Sequence, residues 1–508
     1  LASLASIGHA TRLVRALVVM AREGVFNGID AFALPPIARP ALAALKLFAR
    51  KSEGDHGLSR AMERLGPSYV KLGQFLATRP DIVSSDVARE LERLQDKVAP
   101  LPREAAVKRI ETAFQARLET IFAEFGESVA AASIAQVHKA RVRDGEGERI
   151  VAVKVLRPGV ERRFARDLAD MFFAARLAER LFPDARRLKP VQVVETLARS
   201  VRMEMDFRLE AAAATEYGEN LKDDPDFRAP RIDWDRTTRE VLTMEWIDGA
   251  PLSDPEGLAA KGLDVAKLGR QLIQSFLRHA LRDGFFHADM HQGNFLVDAD
   301  GRIVALDFGI MGRLGRAERR FLAEILYGFI QRDYLRVAEV HFEAGYVPKR
   351  YRVEDFAQAI RAIGEPIHAR PAEQISMARL LTLLFEVTAL FEMQTRTELV
   401  LLQKTMVVVE GVARKLDPRL NMWATAEPVV GGWIVQNLGP RGRLESAGDF
   451  LREVGRTLGD LPGHVEQFAR AMAALEQGPA PPPRRMSSAP LWVIAAILIW
   501  LAIRLGLR

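Results

Sequence analysis

The sequence predicts an α+β chain in two lobes, a small β-rich lobe and then a larger helical one. A helical extension precedes them, and an apolar segment long enough to cross a membrane follows. Three observations lead there. Alternating apolar runs cluster between residues 129 and 156, apolar positions at i, i+3, i+4 dominate before residue 120 and after residue 316, and residues 489–503 carry no charge. With 508 residues, 48% of them hydrophobic, the chain can bury one large core or two to three smaller ones, which excludes disorder for most of it. Cysteine is absent, so disulfides, thiolate metal sites and cysteine nucleophiles are excluded. A net charge of +6 spread over this length reads as solvated surface, and nucleic acid is not an expected partner.

Residues 1–12 lack a charged region followed by a long apolar run and a small-residue cleavage site, so no secretory signal is expected. Helical spacing recurs at 41–48 and 62–76. β-character begins near Val129, with strands expected at 135–142 and 150–156 around a turn at 144–148. After Arg157-Pro158-Gly159 the pattern is helical to about Tyr217, and strands follow near 231–234 and 240–246. Residues 265–281 read as an amphipathic helix, 294–297 and 302–308 as a second hairpin, and everything from 316 to about 430 as helix. The expected units are an extension over 1–125, a small lobe with a helical insertion over 126–248, a helical lobe over 249–430 and further helices over 431–477. A proline-rich linker over 478–488 and a membrane helix over 489–507 complete the chain. At about 1.5 Å per helical residue that last run spans roughly the hydrocarbon of a bilayer. The alternative is a short apolar helix packed on the core or lying in the membrane interface. Arginines stand at both ends (Arg484, Arg485, Arg504, Arg508), so charge does not orient it.

Phosphoryl transfer needs a cation on the nucleotide phosphates, oxygen ligands for magnesium and an aspartate near the attacking nucleophile. In His287-Ala288-Asp289-Met290-His291-Gln292-Gly293-Asn294 an aspartate stands five positions before an asparagine, in a loop just after a helix. Asp307-Phe308-Gly309 follows thirteen residues after Asn294, at the end of a hairpin. Asp289 is the candidate catalytic aspartate, and Asn294 and Asp307 are the candidate magnesium ligands. Lys154, inside the strand run Val151-Ala152-Val153-Lys154, is the candidate phosphate clamp. Its acidic partner is Glu210, Glu204 or Asp206, a choice the sequence leaves open. The phosphate-cradling turn falls at Ala130, Ala131, Ala132 and Ser133, where alanine restricts the backbone that glycine would free. Backbone groups of Glu245 and Trp246 stand where the lobes join and would face an adenine edge. Together the motifs and the lobe order describe a two-lobed, protein-kinase-like fold that uses ATP and Mg2+.

These motifs, with Lys71-Leu72-Gly73-Gln74 in the extension and Glu204-Met205-Asp206 in the insertion, make residues from about 60 to 310 resemble the UbiB-type atypical kinase family. The resemblance implies that the helix bearing Lys71 and Gln74 folds over the active site, with Glu204 and Asp206 as neighbours, where a protein kinase would admit a peptide. It also implies an ATPase-like activity supporting ubiquinone biosynthesis at a bacterial inner membrane or its mitochondrial equivalent, with the kinase-like domain on the cytoplasmic side. The partners it implies are membrane lipids, isoprenoid quinone precursors and other enzymes of that pathway, and it allows a homodimer.

Two features argue against a protein substrate. Ala288 stands where an arginine would pair with a phosphorylated activation loop, and helix resumes about seven residues after Gly309, leaving no peptide platform. Two other readings are a non-catalytic nucleotide-binding scaffold for quinone-biosynthesis enzymes, and a soluble kinase of small molecules. The first has no physical need for all of Lys154, Asp289, Asn294 and Asp307. The second does not account for the Lys71 motif or the apolar tail.

Overall fold

The structure is a computed structural model that describes residues 2–27, 39–47, 57–77, 85–91, 99–145, 147–181, 189–368 and 397–439, with a few single positions between them. The expected linker at 478–488 and membrane helix at 489–507 lie outside the described residues, as do 440–477. Among the described residues no helix is long and apolar enough to cross a membrane.

The extension holds α1 (Ala2–Arg22), α2 (Arg39–Leu47), α3 (Gly57–Leu65), α4 (Pro67–Ala77) and α5 (Ser85–Leu91). Leu17, Phe26, Leu58, Met62, Val70, Leu76 and Leu91 share its core. A Cβ at Gly73 would stand 2.2 Å from the end of the Leu94 side chain and 3.2 Å from that of Leu91, so any larger residue there would make these leucines shift. Helices α6 (Arg103–Phe114) and α7 (Leu118–Ile121) lead into the small sheet.

That sheet is antiparallel, in the order β1 (Glu124–Ala131), β2 (Ala135–Asp144), β3 (Gly147–Leu156) and β5 (Val241–Glu245). Alternation along β3 sends Val151, Val153 and Val155 to the face packed with Ile110 and Phe122, and Lys154 to the other. With both faces covered, the run is almost continuously apolar. The segment expected as a strand near 231–234 makes only a single bridge, Ile232 with Met244. Asp233 then accepts the Arg236 N–H and starts a 3-10 turn, which ends pairing.

Between β3 and β5 lie α8 (Val160–Leu181), α9 (Pro190–Glu204) and α10 (Phe207–Asn220). Ile134, Leu156, Phe164, Leu197, Phe207 and Leu242 join insertion and sheet in one core, onto which Tyr69, Leu72 and Phe75 of α4 pack.

The second sheet runs β4 (Phe227–Arg228), β9 (Ile303–Ala305), β8 (Phe295–Asp298), β6 (Gly249–Pro251), and β7 (Phe285–His287) pairs with β10 (Met311–Arg313). α11 (Pro255–Ala260) precedes α12 (Val265–Arg278), whose Leu268, Leu272, Phe276 and Leu277 line one buried face. The helical run ends in a π-helical turn, His279–Asp283, closed by Gly284 at φ 65°. α13 (Arg316–Gln331), α14 (Tyr334–Glu343), α15 (Val353–His368), α16 (Thr397–Leu416) and α17 (Met422–Leu438) complete the large lobe. The last of these runs unbroken through residue 430, where the helical lobe was expected to stop.

Candidate active site

Lys154 projects from β3 into the space under α10, where its ammonium donates to Glu210 Oε1 at 2.7 Å and to Asp307 Oδ2 at 3.1 Å. The side chain is only 12% exposed, and the Phe207 ring lies 5.5 Å from the ammonium. Of the three acidic candidates Glu210 is therefore the partner. Phe207, Glu210, Ala211 and Ala214 repeat at i, i+3, i+4, i+7 and form the buried face of α10. Asp206 instead caps that helix, accepting the Arg208 N–H at 3.2 Å and the Arg208 guanidinium at 2.7 Å. Glu204 ends α9 and accepts Lys71 in a short ion pair, so α4 is tied to the turn just before α10. Gln74, one turn further along α4, is half-buried.

Burial alone would lower the Lys154 pKa, but Asp307 and Glu210 outweigh it and hold the ammonium protonated far above neutrality. The Asp307 side chain is half-exposed, and what burial it has pushes the carboxyl upward, yet Lys154 and the Gly309 N–H, which donates to Oδ1 at 2.9 Å, hold it well below the usual range. Glu210 moves the other way, raised by burial with the Asp307 charge adding to it.

Asp289 and Asn294 lie in the loop after β7. The Asn294 amide donates to the Asp289 carbonyl at 3.0 Å and to its carboxylate at 3.1 Å, and the Leu306 N–H donates to the Asn294 carbonyl at 2.9 Å. His287 joins this loop to Asp307. Its Nδ1 accepts the Asp289 N–H at 3.1 Å, so the proton sits on Nε2 and is donated to the Asp307 carbonyl at 2.6 Å. Burial lowers its pKa despite the two aspartates nearby, which keeps the ring neutral and both bonds intact. A continuous chain of hydrogen bonds thus runs from Glu210 through Lys154, Asp307 and His287 to Asp289 and Asn294. His287 stands two residues before Asp289, and that place was the signal the sequence offered for its role.

Two expected sites look different in three dimensions. Ala130 and Ala131 belong to β1, paired with Val137 and Gln136, and the Ala132 N–H donates to Ala135. The turn is therefore tight. Arg157 Nε donates to the Ala132 carbonyl at 2.8 Å and its Nη2 to that of Ala99 at 2.8 Å, clamping the turn to the chain ahead of α6. Ser133 is 1% exposed, and its hydroxyl has no hydrogen-bond partner among the described residues. At the junction of the lobes the N–H groups of Glu245 and Trp246 already donate to Arg231 and Ile150 at 2.8 and 3.3 Å. Neither N–H is therefore open to a ligand edge in this structure. The Glu245 carboxylate pairs with Arg228, and Lys139 lies 4.5 Å over the Trp246 ring.

Asp307 and Asn294 offer one anionic and one amide oxygen donor. That hard, sparse set fits magnesium, which keeps several waters and phosphate oxygens of its own, and needs no cluster of three ionisable ligands. Among the described residues there is no such cluster.

Comparison with known proteins agrees with this architecture. Residues 93–341 match the ABC1 atypical kinase-like domain, and residues 360–421 match the UbiB helical domain. A "Probable protein kinase UbiB" of Pseudomonas paraeruginosa is 40% identical over 472 residues, covering 90% of this chain and 86% of the relative. A protein of the same description from Marinobacter nauticus is 42% identical over 405 residues, covering 79% and 73%. Among solved structures, the Rv3197–erythromycin complex from Mycobacterium tuberculosis shares the fold, with a TM-score of 0.50 and 24% identity over 77% of this chain and 96% of that one.

Proposed function

This chain belongs to the UbiB family of ABC1 atypical kinase-like proteins, and on that premise we propose that it is an ATP- and magnesium-dependent ATPase supporting ubiquinone biosynthesis at the membrane. It acts on lipid-like precursors, or makes them accessible, and does not phosphorylate proteins. The observation that carries the reading is Lys154 held between Glu210 and Asp307, in hydrogen-bonded continuity with Asp289 and Asn294.

Lys154 takes the nucleotide phosphates, and Glu210 keeps it on that side of the sheet. Asp307 and Asn294 hold magnesium, which when bound offsets the charge of the triphosphate. Asp289 orients the attacking oxygen. Only β10 separates Gly309 from α13, which begins at Arg316, and this supports a small or lipid-like acceptor over a peptide laid across the lobe. The uncharged run at 489–503 supports membrane attachment, and isoprenoid quinone precursors and other enzymes of the pathway are the partners we propose.

Phosphate release by the purified full chain with Mg-ATP and lipid vesicles tests this. Asp307→Asn should lower the rate by roughly a hundredfold or more, and cells carrying only that variant should accumulate quinone precursors. Equal turnover by the variant and the parent would overturn the proposal.

A further inference from the structure

Asp289 acts only if its backbone is fixed, and one peptide unit decides this. The Ala288 carbonyl and the Asp289 N–H belong to the same planar group, so holding both ends fixes the direction in which the aspartate leaves the chain. His287 holds the N–H end at 3.1 Å. The carbonyl end is held from far away in sequence, by Thr405 of α16, whose hydroxyl lies 3.0 Å from the Ala288 oxygen.

We infer that Thr405 is a positioning residue for Asp289, bracing the catalytic loop from the helical region, a role that rests on the nucleotide-turnover reading above. The hydroxyl also lies 2.8 Å from the Leu401 carbonyl, the common back-bond of a helical threonine. Its single proton is within reach of both oxygens. The surroundings distinguish a brace from an ordinary helical threonine. Thr405 is 1% exposed, with Leu402 and Val409 of its own helix in the same apolar core as Ala288 and Met290. A buried seam of this kind favours an apolar residue, and the loop carbonyl opposite is a polar group that needs a donor there. The Ala288 N–H donates to Ile310 at 3.0 Å, so the residue before Asp289 is tied on both of its polar groups.

Thr405→Val keeps shape and removes the donor, and Thr405→Ser keeps the donor. In the full chain, Thr405→Val should lower kcat for ATP about tenfold while KM stays within about twofold, and Thr405→Ser should retain the parental kcat. Hydrogen exchange of the catalytic-loop peptide, followed by mass spectrometry without nucleotide, should be roughly fivefold faster in Thr405→Val alone. Unchanged kcat and exchange in Thr405→Val would overturn the inference. A loss of kcat, KM and thermal stability together, equally severe in Thr405→Ser, would also overturn it, showing a packing role. If the parent turns over no ATP yet Thr405→Val alone speeds exchange, the brace stands and the turnover reading falls.

Discussion

Lys154 and Asp307 could be read from motif spacing because strand and loop place them within a few residues of their own markers. The choice of Glu210 was also present in the sequence, as the i, i+3, i+4, i+7 face of Phe207, Glu210, Ala211 and Ala214. Thr405 was not legible, since the carbonyl it meets lies 117 positions away and nothing local marks a helical threonine as special. Ser133 shows a different limit. Its sequence context suggested phosphate contact, and the structure buries its hydroxyl without a partner among the described residues. A buried, unpaired hydroxyl costs on the order of 1–3 kcal/mol, so Ser133→Ala should stabilise the nucleotide-free protein by about 1 kcal/mol in urea unfolding. If a phosphate oxygen is its missing partner, the same variant should bind Mg-ATP several-fold more weakly. A variant clearly less stable than the parent would show that the hydroxyl is already satisfied.

Elements with regular periodicity were legible and irregular ones were not. β2 and α12 carry two- and 3.6-residue patterns, and β3 is a short, nearly continuous apolar run. β1 is not among the strands the sequence predicts, because it is mostly exposed and its register shifts on both sides of Ser128, so no alternation builds up. The π-helical turn after α12 was absorbed into the expected helix, since apolar residues continue through Leu281. α10 matters most among the elements, because it carries Glu210 and begins at a capped end. Asp206 holds its first turn, and the Arg208 guanidinium keeps that carboxyl below its ordinary pKa. Asp206→Ala should cost about 1 kcal/mol of stability and raise the KM for ATP, because a frayed first turn loosens Glu210. Both can be read from one set of urea curves and steady-state rates. Undiminished stability would mean that packing of Phe207 and Ala211 holds the turn without its cap.

At the scale of the whole molecule the buried histidines weaken the fold as the pH falls. His138, His279, His287 and His341 are buried, and burial lowers each of their pKa values. His341, donating to the Val337 carbonyl at 2.7 Å, falls to about 4 from an ordinary 6.5. In that window the unfolded chain binds the proton that the folded chain refuses, so stability drops as pH falls from 6.5 toward 4. His341 alone contributes on the order of 3 kcal/mol to this loss. Urea midpoints should fall as the pH drops from about 7 to about 5, and His341→Gln should flatten the slope. Parallel profiles for parent and variant would rule the histidine out as a cause. The large core has a further consequence. Leu272, Phe286 and Phe295 share it with Leu402, Val409, Val412 and Leu416, so the segments matching the two family descriptions interlock as one hydrophobic body. The boundary between them is a seam in sequence alone, and a gene cut there would hand each fragment half of a shared interior.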